Sequence, residues 1–361
     1  MTEWKEYKLG EIGTFGNGKV RPQKQGDIPI YGGNGILGYC DEYNYCGETI
    51  IVGRVGAYCG SVYYENRPIW VSDNALALKP KNNYNTKFIY YLLKKYNLNE
   101  YAEGSSHPLV TQTLLNAIEI IFTDDIEKQI RIAAIFSSLD DKIDLLHREN
   151  KTLEAMAETL FRQWFIEEAK EDDMCLLGEV IKTTSGGTPS RKNEEYYCNG
   201  NIEWVKSKEL HHSYILDTEE KITEDAITNS SAKLLPENSV LIAMYGATVG
   251  EYGIISKPMT CNQAICALIP NENYPYTYLY LWAKYMQEEF INLACGAAQQ
   301  NISQELIKQQ YVSNDLKQIL DFHILVAPYL EKMKVNQEMI QTLIQTRDSL
   351  LPKLMSGEIK V

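Results

Sequence analysis

The sequence predicts an α+β fold with two tandem mixed α/β domains, each followed by a long helix. The two helices are expected to pair as an antiparallel coiled coil about an internal pseudo-twofold axis. Two observations lead to this prediction: short elements recur in the same order along the chain, and a stretch with helical periodicity follows each copy. The chain has 361 residues, 44% of them hydrophobic, which is enough for two packed cores.

The repeat consists of four short matches at offsets between 168 and 192 residues. Each match alone is weak, but four in the same order indicate an internal duplication. A duplicated chain carries two similar surfaces, which suits a target that itself has two parts. The matched segments are 9–12 with 177–180, 52–60 with 242–250, 104–112 with 296–304, and 128–130 with 317–319.

Composition argues against several classes of protein. No run of about 18 apolar residues is present, so no membrane span is expected. The first residues also lack the apolar core of a signal peptide. The 8 cysteines and 5 histidines complete no zinc pattern, so free thiols in a reducing cytoplasm are expected.

The net charge of −13 argues weakly against nucleic acid as a partner, but the acidic residues are unevenly distributed. Residues 171–315 carry 10 basic and 20 acidic side chains, and part of the excess lies at 217–220. Two explanations remain open. The acidic segment is a solvated face turned away from DNA, or a partner subunit supplies the positive charge that this chain lacks.

The first domain, residues 1–127, is expected to consist mostly of local hairpins. Strands are predicted at 49–52, 61–64 and 75–78, where Val, Ile and Leu lie between Gly and Asn turns. A helix is predicted at 86–96 from its apolar residues on successive turns.

The first helical region, residues 128–170, has apolar residues in a 4-3 heptad pattern and no Gly or Pro before residue 169. Asn150 occupies a seam position. Either it fixes the register of the coiled coil at a cost in stability, or it is merely tolerated there. The predicted seam residues are Leu139, Ile143, Leu146, Asn150, Leu153, Leu160 and Trp164.

The second domain, residues 171–315, has predicted strands at 239–243 and 264–268 and a predicted helix at 276–290. The second helical region, residues 316–361, is expected to be interrupted near Pro328 and to be stopped by Gly357. Its predicted seam residues are Met333, Ile340, Leu343, Leu350 and Leu354, with Asn336 and Arg347 at the two remaining seam positions.

Neither helical region can bury its apolar stripe alone, so the two are expected to pair with each other. The pairing is expected to be antiparallel because each region follows an equivalent domain. The heptad stretch 139–164 is roughly 38 Å long at about 1.5 Å per residue. One turn of B-DNA is roughly 34–36 Å, so such a coiled coil would hold the two domains about one DNA turn apart.

A Gly-rich loop beside basic residues marks the first domain. Segment 13–19 fits the start of a phosphate-binding loop, but Val20 stands where Ser or Thr must reach magnesium, so nucleotide binding is not expected. Asn suits adenine, and Lys and Arg suit guanine or phosphate; an ordinary surface hairpin is the alternative. The candidate DNA-binding residues are Lys19, Arg21, Lys24, Tyr31, Asn34, Arg54 and His107.

The second domain has a comparable loop, in which small hydroxyl residues beside Arg and Lys suit phosphate contacts. A solvated polar loop is the alternative. Matching residues 19–21 with 189–191 gives different side chains, so the two domains are expected to read different sequences. The candidates are Thr188, Ser190, Arg191, Lys192, Lys206, Lys208, Tyr245 and Gln299.

No catalytic or metal site is expected. His211 and His212 have no Cys or carboxylate partner at ligand spacing. The sequence contains no G-x-S-x-G, no H-E-x-x-H and no Asp/Asn-Pro-Pro-aromatic motif of the kind that amino-methyltransferases use to hold a base.

These features resemble the specificity subunit of type I restriction–modification systems, and the resemblance covers nearly the whole chain. Two sets of segments look like the starts of that family's two target recognition domains, and two others look like the ends of its conserved helical regions. The recognition-domain segments are 9–12, 30–36 and 53–56, then 186–190 and 202–205, and the helical ends are 160–165 and 350–359.

The resemblance implies a non-catalytic subunit whose two recognition domains each read one half of a split, asymmetric double-stranded DNA sequence. It implies helices that set the unread spacer and dock two methyltransferase subunits, which carry S-adenosylmethionine and methylate adenine N6. It also implies restriction subunits that use ATP and Mg, so that this chain binds no cofactor itself. The alternatives are a methylation-only or other defence complex without a nuclease, and, more distantly, a self-contained enzyme or protein-binding module.

Overall fold

The computed structural model describes residues 4–104, 108–168, 173–295 and 300–360 and divides the chain into two compact units. The first unit combines the residues up to 144 with those from 341 onward, and the second comprises residues 145–340. Each unit contains sheets, short helices and segments of two long helices, as the predicted α+β class requires.

In the part of the chain that the structure describes, the first unit contains three sheets, of four, three and two strands. Its strands are β1 (Lys5–Lys8), β2 (Gly13–Asn17), β3 (Ile28–Gly32), β4 (Gly35–Cys40), β5 (Thr49–Gly53), β6 (Val62–Glu65), β7 (Trp70–Val71), β8 (Ala75–Pro80) and β9 (Glu119–Phe122). One sheet has the order β2-β8-β5-β6, another has the order β4-β3-β7, and in the third β1 pairs with β9. The strands predicted at 49–52, 61–64 and 75–78 correspond to β5, β6 and β8.

The expectation of mostly local hairpins is wrong. β2 pairs antiparallel with the distant β8, and β3 runs parallel to β7. Buried residues of β5 and β8 pack in the same core as the first unit's helices.

Segment 13–17 begins the stretch 13–19 that was compared with a phosphate-binding loop. In the structure it forms strand β2.

The helices of the first unit are α1 (Leu9–Ile12), α2 (Thr86–Lys95), α3 (Gln112–Ala117) and the start of α4 (Ile126–Arg162). Helix α2 is the one predicted at 86–96. It begins after Asn85, whose side-chain oxygen accepts a hydrogen bond of 2.8 Å from the Phe88 backbone N–H. This bond satisfies one of the amides that the first turn of a helix leaves without a partner.

The second unit repeats this architecture. Its strands are β10 (Met174–Leu176), β11 (Lys182–Ser185), β12 (Ile202–Val205), β13 (Tyr214–Ile215), β14 (Lys221–Ile222), β15 (Val240–Ala243), β16 (Tyr252–Ile255), β17 (Thr260–Cys261), β18 (Ile265–Ile269) and β19 (Tyr311–Ser313). The helices are the rest of α4, α5 (Leu177–Val180), α6 (Glu224–Thr228), α7 (Tyr276–Cys295), α8 (Gln304–Lys308) and the greater part of α9 (Leu316–Leu354). The strands predicted at 239–243 and 264–268 and the helix predicted at 276–290 correspond to β15, β18 and α7.

The sheet orders confirm the duplication at the level of topology. The second unit has β11-β18-β15-β16-β13, β14-β12-β17 and β10-β19. Removing β13 gives the strand arrangement of the first unit, including the parallel pairing of β12 with β17. The main difference lies between the paired strands of the smaller sheet. Residues 33–34 join β3 to β4, whereas residues 206–220, which include β13, join β12 to β14.

The two long helices pair antiparallel within the second unit. Asn150 of α4 contacts Asn336 of α9, and further along α4 the ring of Phe161 lies 6.0 Å from that of Phe322. In the first unit Arg347 donates a hydrogen bond of 2.8 Å to Asp140. Of the predicted seam residues, the buried ones are Ile143, Leu146, Met333, Ile340 and Leu354, and the half-buried ones are Leu139, Asn150, Leu153, Leu160, Trp164, Leu343 and Leu350.

The polar seam residues are hydrogen-bonded across the pair. Asn336 is fully buried and donates to Asn150 Oδ1 at 2.8 Å and to Glu149 Oε2 at 2.9 Å. Asn150 in turn donates to the Met333 backbone carbonyl at 3.3 Å. Because these bonds form in only one register, they favour the register-fixing explanation of Asn150.

The predicted interruption near Pro328 is wrong, because α9 continues through it from Leu316 to Leu354. A proline inside a helix leaves the carbonyl four residues earlier without its N–H donor. That carbonyl belongs to Ile324, whose side chain is 73% exposed, and Pro328 is exposed as well. Water can therefore satisfy the carbonyl, and the helix tolerates the proline.

Among the described residues, no helix is both long and apolar enough to cross a membrane. The cysteines whose side chains are described are all free thiols: Cys40, Cys46, Cys59, Cys175, Cys198, Cys261 and Cys266.

Candidate nucleic-acid interface

In the first unit, the loops at one end of the larger sheet meet. The Lys19 backbone N–H donates to the Val71 carbonyl at 3.0 Å, and the Arg54 N–H donates to the Asn74 carbonyl at 2.9 Å. Gly18 makes this approach possible, since a Cβ there would lie 1.7 Å from the Ser72 carbonyl oxygen. The strand ends therefore bring the Lys19 and Arg54 loops together.

The Gly33–Asn34 turn belongs to the same cluster of loops. A Cβ on Gly33 would lie 3.1 Å from the Val55 carbonyl oxygen and 3.6 Å from that of Asn74. The Asn34 side chain is exposed, and so are those of Lys19 and Arg21. This end of the first unit thus presents two cationic side chains and one amide to solvent, a set that suits phosphate and base-edge contacts.

Arg54 is half-buried beside this surface. Its Nε atom is buried and has no hydrogen-bond partner among the residues that the structure describes. Lys24 is exposed but forms an ion pair with Asp41. The hydrogen bond between them raises the pKa of Lys24 and lowers the pKa of Asp41, so both groups stay charged near neutral pH.

Tyr31 is a core residue and not a surface contact. It is 7% exposed, and its hydroxyl donates to Glu65 Oε2 at 3.1 Å. Burial and the neighbouring Glu65 raise its pKa to about 12. The sequence pattern placed it beside Asn34, but in β3 the side chain points into the small core formed with Ile51 and Val71. His107 lies outside the described residues.

Backbone hydrogen bonds fix which residues correspond in the second unit. The Gly187 N–H donates to the Cys261 carbonyl at 2.9 Å, as Lys19 does to Val71. The Met244 N–H donates to the Ala264 carbonyl at 2.8 Å, as Arg54 does to Asn74. Lys19 therefore corresponds to Gly187, which corrects the matching of 19–21 with 189–191.

The second unit therefore lacks cations at two places where the first unit has them. Gly187 replaces Lys19, and Met244 replaces Arg54. Thr188 is exposed and donates its hydroxyl to Gln263, and Tyr245 is 44% exposed. Ser190 and Lys192 are exposed, and Gln299 lies outside the described residues.

Three of the four basic candidates of the second unit, all except Lys192, form ion pairs with acidic residues of the same unit. Arg191 Nη1 lies 2.7 Å from Glu220 Oε2, and Lys206 Nζ lies 2.6 Å from Glu220 Oε1. Lys208 Nζ lies 2.6 Å from Glu219 Oε2. The acidic segment at 217–220 is thus not simply a solvated face turned away from the candidate cations, because Glu219 and Glu220 contact them directly.

Aromatic rings hold Arg191 in place. Its guanidinium lies 4.3 Å from the Tyr197 ring centroid and 5.2 Å from that of Trp204. The Trp204 indole N–H donates to the Gly187 carbonyl at 2.9 Å, and the Tyr197 hydroxyl donates to the Pro189 carbonyl at 2.6 Å. These contacts pin the basic loop against the smaller sheet.

The ion pairs keep their charges at neutral pH. The ion pair with Arg191 is the first of the effects that lower the pKa of Glu220, and the ion pair with Lys208 does the same for Glu219. The ion pair with Glu220 raises the pKa of Arg191. Sequence reasoning identified the cations but missed their partners; the acidic run 217–220 was the available signal.

The described residues of this surface contain no cluster of metal ligands. Within the described part of the chain, no three His, Cys, Asp or Glu side chains are grouped so that they could hold a metal ion. The exposed groups include an amide, hydroxyls, cations and a tyrosine ring, which are the types of group that proteins use to contact phosphates and base edges.

The sequence matches the type I restriction modification DNA specificity domain twice, at residues 1–155 and 171–314. The type I restriction enzyme MjaIX specificity subunit of Methanocaldococcus jannaschii is 26% identical, over 99% of this chain and 94% of that protein. The EcoR124I/EcoR124II specificity subunit of Escherichia coli is 31% identical, over 54% of this chain and 50% of that protein. The crystal structure of the type I restriction–modification S subunit from M. genitalium shares the fold, with a TM-score of 0.71 at 19% identity, covering 97% of this chain and 96% of that one.

Proposed function

This chain belongs to the type I restriction–modification DNA specificity family, and from that membership we propose that each of its two units reads one half of a bipartite, asymmetric DNA target. The observation that carries the proposal is a duplicated fold with different side chains at corresponding loop positions. Lys19 of the first unit corresponds to Gly187 of the second, and Arg54 corresponds to Met244. Two readers with unlike surfaces suit two unlike half-sites.

The long helices are proposed to set the unread spacer between the half-sites. Helices α4 and α9 each contribute residues to both units, and hydrogen bonds between Asn150 and Asn336 favour a single register. A fixed register gives a fixed length, which is what a spacer of constant size needs.

The helices are also proposed to dock two methyltransferase subunits. Near the start of α4, Ile126 and Ile130 are 39% and 50% exposed. On the matching face of α9, Leu320, which corresponds to Ile130, and Ile324, one turn later, are 37% and 73% exposed. Each pair is spaced four residues apart and so shares a helix face. Two similar apolar patches, one near the start of each long helix, suit two copies of one partner.

The chemistry is proposed to reside in the partners. The methyltransferase subunits would carry S-adenosylmethionine and modify adenine N6, and restriction subunits would add ATP- and Mg-dependent cleavage, all in the cytoplasm. An equivalent role in a methylation-only or other defence complex without a nuclease is the alternative, and the genes beside this one would separate the two.

Reading of a split target is tested by expressing the chain with its methyltransferase partner in a host without adenine methylation. Single-molecule sequencing of the host genome should show modified adenines in both halves of one split motif. Asn34→Ala should relax the motif in one half and leave the other half unchanged. A continuous or palindromic motif, or no modified adenine together with no DNA binding, would contradict the proposal.

Docking is tested by native mass spectrometry of the complex. Ile130→Glu and Ile324→Glu should each remove one methyltransferase subunit, and the double variant should remove both, because a buried charge replaces apolar contact. Ala155→Glu, at another exposed position of α4, is the control and should keep two subunits. Retention of both subunits by the double variant would place the docking surface elsewhere.

A further inference from the structure

The candidate cations differ in availability between the two units. In the second unit Arg191, Lys206 and Lys208 all lie within 2.7 Å of a carboxylate oxygen of Glu219 or Glu220. In the first unit Lys19 and Arg21 are exposed, and no ion pair joins either to any residue that the structure describes. Three of the four candidate cations of the second unit are therefore neutralised internally, Lys192 being the exception, whereas Lys19 and Arg21 of the first unit are not.

The neutralising carboxylates are held in position by the fold. Glu219 and Glu220 end the segment 206–220 that replaces the short turn of the first unit, and β14 follows them directly. The Glu219 backbone N–H donates to Glu209 Oε1 at 2.8 Å, and Glu209 Oε2 accepts from the Lys206 N–H at 2.8 Å. These two bonds hold the start and the end of segment 206–220 together. The carboxylates of Glu219 and Glu220 are thereby placed beside Arg191, Lys206 and Lys208.

A carboxylate and a phosphate offer Arg and Lys the same chemistry, since both present two anionic oxygens to N–H donors. Glu220 bridges Arg191 and Lys206, as a phosphate between two cationic side chains would. When DNA binds such a site, one ion pair replaces another, so the backbone contributes little net affinity and releases few counterions.

We propose that Glu219 and Glu220 act as an internal substitute for DNA phosphates, which suppresses binding of the second unit to DNA of arbitrary sequence. The first unit, with Lys19 and Arg21 uncovered, then makes the initial contact with any duplex. The second unit engages only where base contacts compensate for the exchange of partners. This inference rests on the proposed function, because it presupposes that the chain reads DNA.

The test compares the full chain with Glu219→Gln/Glu220→Gln, each in complex with the methyltransferase partner. The probe is a 40-base-pair duplex of unrelated sequence, titrated between 50 and 200 mM KCl. The variant should bind about tenfold more tightly at 50 mM, with a salt slope steeper by about 0.9 for each cation that gains a phosphate. The variant's affinity for a duplex that contains the target motif should change less than its affinity for the unrelated duplex. The ratio of the two affinities, which measures discrimination, should therefore fall.

The matched control is Glu194→Gln/Glu195→Gln, which removes the same charge from exposed positions of the same unit. If this control tightens binding equally, the effect is one of net charge and the proposal fails. Unchanged or weaker binding by the Glu219/Glu220 variant also overturns it. If that variant does not fold, Glu219→Gln alone frees Lys208 and should steepen the slope by about 0.9. If the wild-type complex binds no duplex, the proposal that the chain reads DNA is refuted. If the wild-type complex binds, and the Glu219/Glu220 variant behaves like the Glu194/Glu195 control, only the proposal that Glu219 and Glu220 substitute for phosphates is refuted.

Discussion

Whether a basic side chain is available to a ligand depends on its neighbours as much as on its type. Arg191 and Lys19 both follow Gly-rich segments and look alike in the sequence. Arg191 is bound to Glu220 and stacked on two aromatic rings, whereas Lys19 is exposed. The sequence indicates the kind of chemistry at these positions. It does not indicate the pairing, because the return of segment 206–220 to the loop at Arg191 is a tertiary contact.

Lys19→Ala/Arg21→Ala should weaken binding of the methyltransferase complex to all duplexes alike. If both cations contact phosphate, the slope of log affinity against log salt should fall by about 1.8. Fluorescence anisotropy at several KCl concentrations measures the slope.

Lys87→Ala/Lys94→Ala removes the same charge from α2, where both ammonium groups lie over tyrosine rings, and should leave the slope nearly unchanged. An unaltered slope in Lys19→Ala/Arg21→Ala would remove both residues from the DNA contacts.

At the scale of the elements, strand and helix positions followed from local pattern, whereas strand pairing did not. Strands β5, β8, β15 and β18 lie where runs of apolar residues predicted them. The parallel pairing of β3 with β7 joins segments far apart in the chain, and no local rule indicates it. In helix α9 a local rule was itself misleading. A proline usually interrupts a helix, but Pro328 is exposed, so water can bond to the carbonyl that lacks an N–H donor and the helix continues.

Pro328→Ala should stabilise the second unit. The substitution restores the N–H that the Ile324 carbonyl lacks, at an exposed position where no packing is lost. The gain is expected to be about 1–2 kcal/mol after the entropy that proline removes from the unfolded chain is subtracted. Urea unfolding measures it.

Pro258→Ala, in the exposed turn between β16 and β17, is the control. It should be neutral or slightly destabilising, since no helical hydrogen bond is restored there. A lower urea midpoint for Pro328→Ala would mean that the proline has a structural role beyond tolerance.

Asn150→Ala and Asn336→Ala should each destabilise the second unit by about 1–3 kcal/mol, since each leaves a partly or fully buried partner without its hydrogen bond. The double variant should cost less than the sum, with a coupling of about 0.5–2 kcal/mol.

In the control cycle, Thr159→Ala takes the place of Asn150→Ala, because the Thr159 hydroxyl bonds within its own helix. The free-energy changes of Thr159→Ala and Asn336→Ala should add. Additivity between Asn150 and Asn336 would show that the bond across the seam contributes nothing.

At the scale of the whole molecule, the sequence indicates a duplication, but it does not show how the chain divides. Four consecutive segments were predicted, bounded at 127, 170 and 315. In the structure the chain forms two compact units, and each includes part of both long helices. This division follows from pairing between α4 and α9, which are distant in sequence, so composition and periodicity along the chain cannot show it.

The spacer proposal predicts that target length follows helix length. One heptad inserted after Asp144 and one inserted after Ile340 should add roughly 10 Å, or about three base pairs, while keeping the pairing within each unit. Methylome sequencing should then show a longer spacer between unchanged half-sites, or no modification if the added twist prevents both units from engaging.

A heptad inserted after Asp144 alone is the control, since it moves Asp140 out of register with Arg347 and should destabilise the first unit. An unchanged spacer with both insertions would refute a length-setting role for the helices.

The division into units also has a consequence for biosynthesis. The second unit, residues 145–340, is a continuous stretch and has all its parts as soon as that stretch has left the ribosome. The first unit is synthesised first but stays incomplete, because Leu354 and Met355 are buried in its core with Phe88 and Phe136. The domain translated earlier is therefore completed later, and until then its core is open to chaperones and proteases.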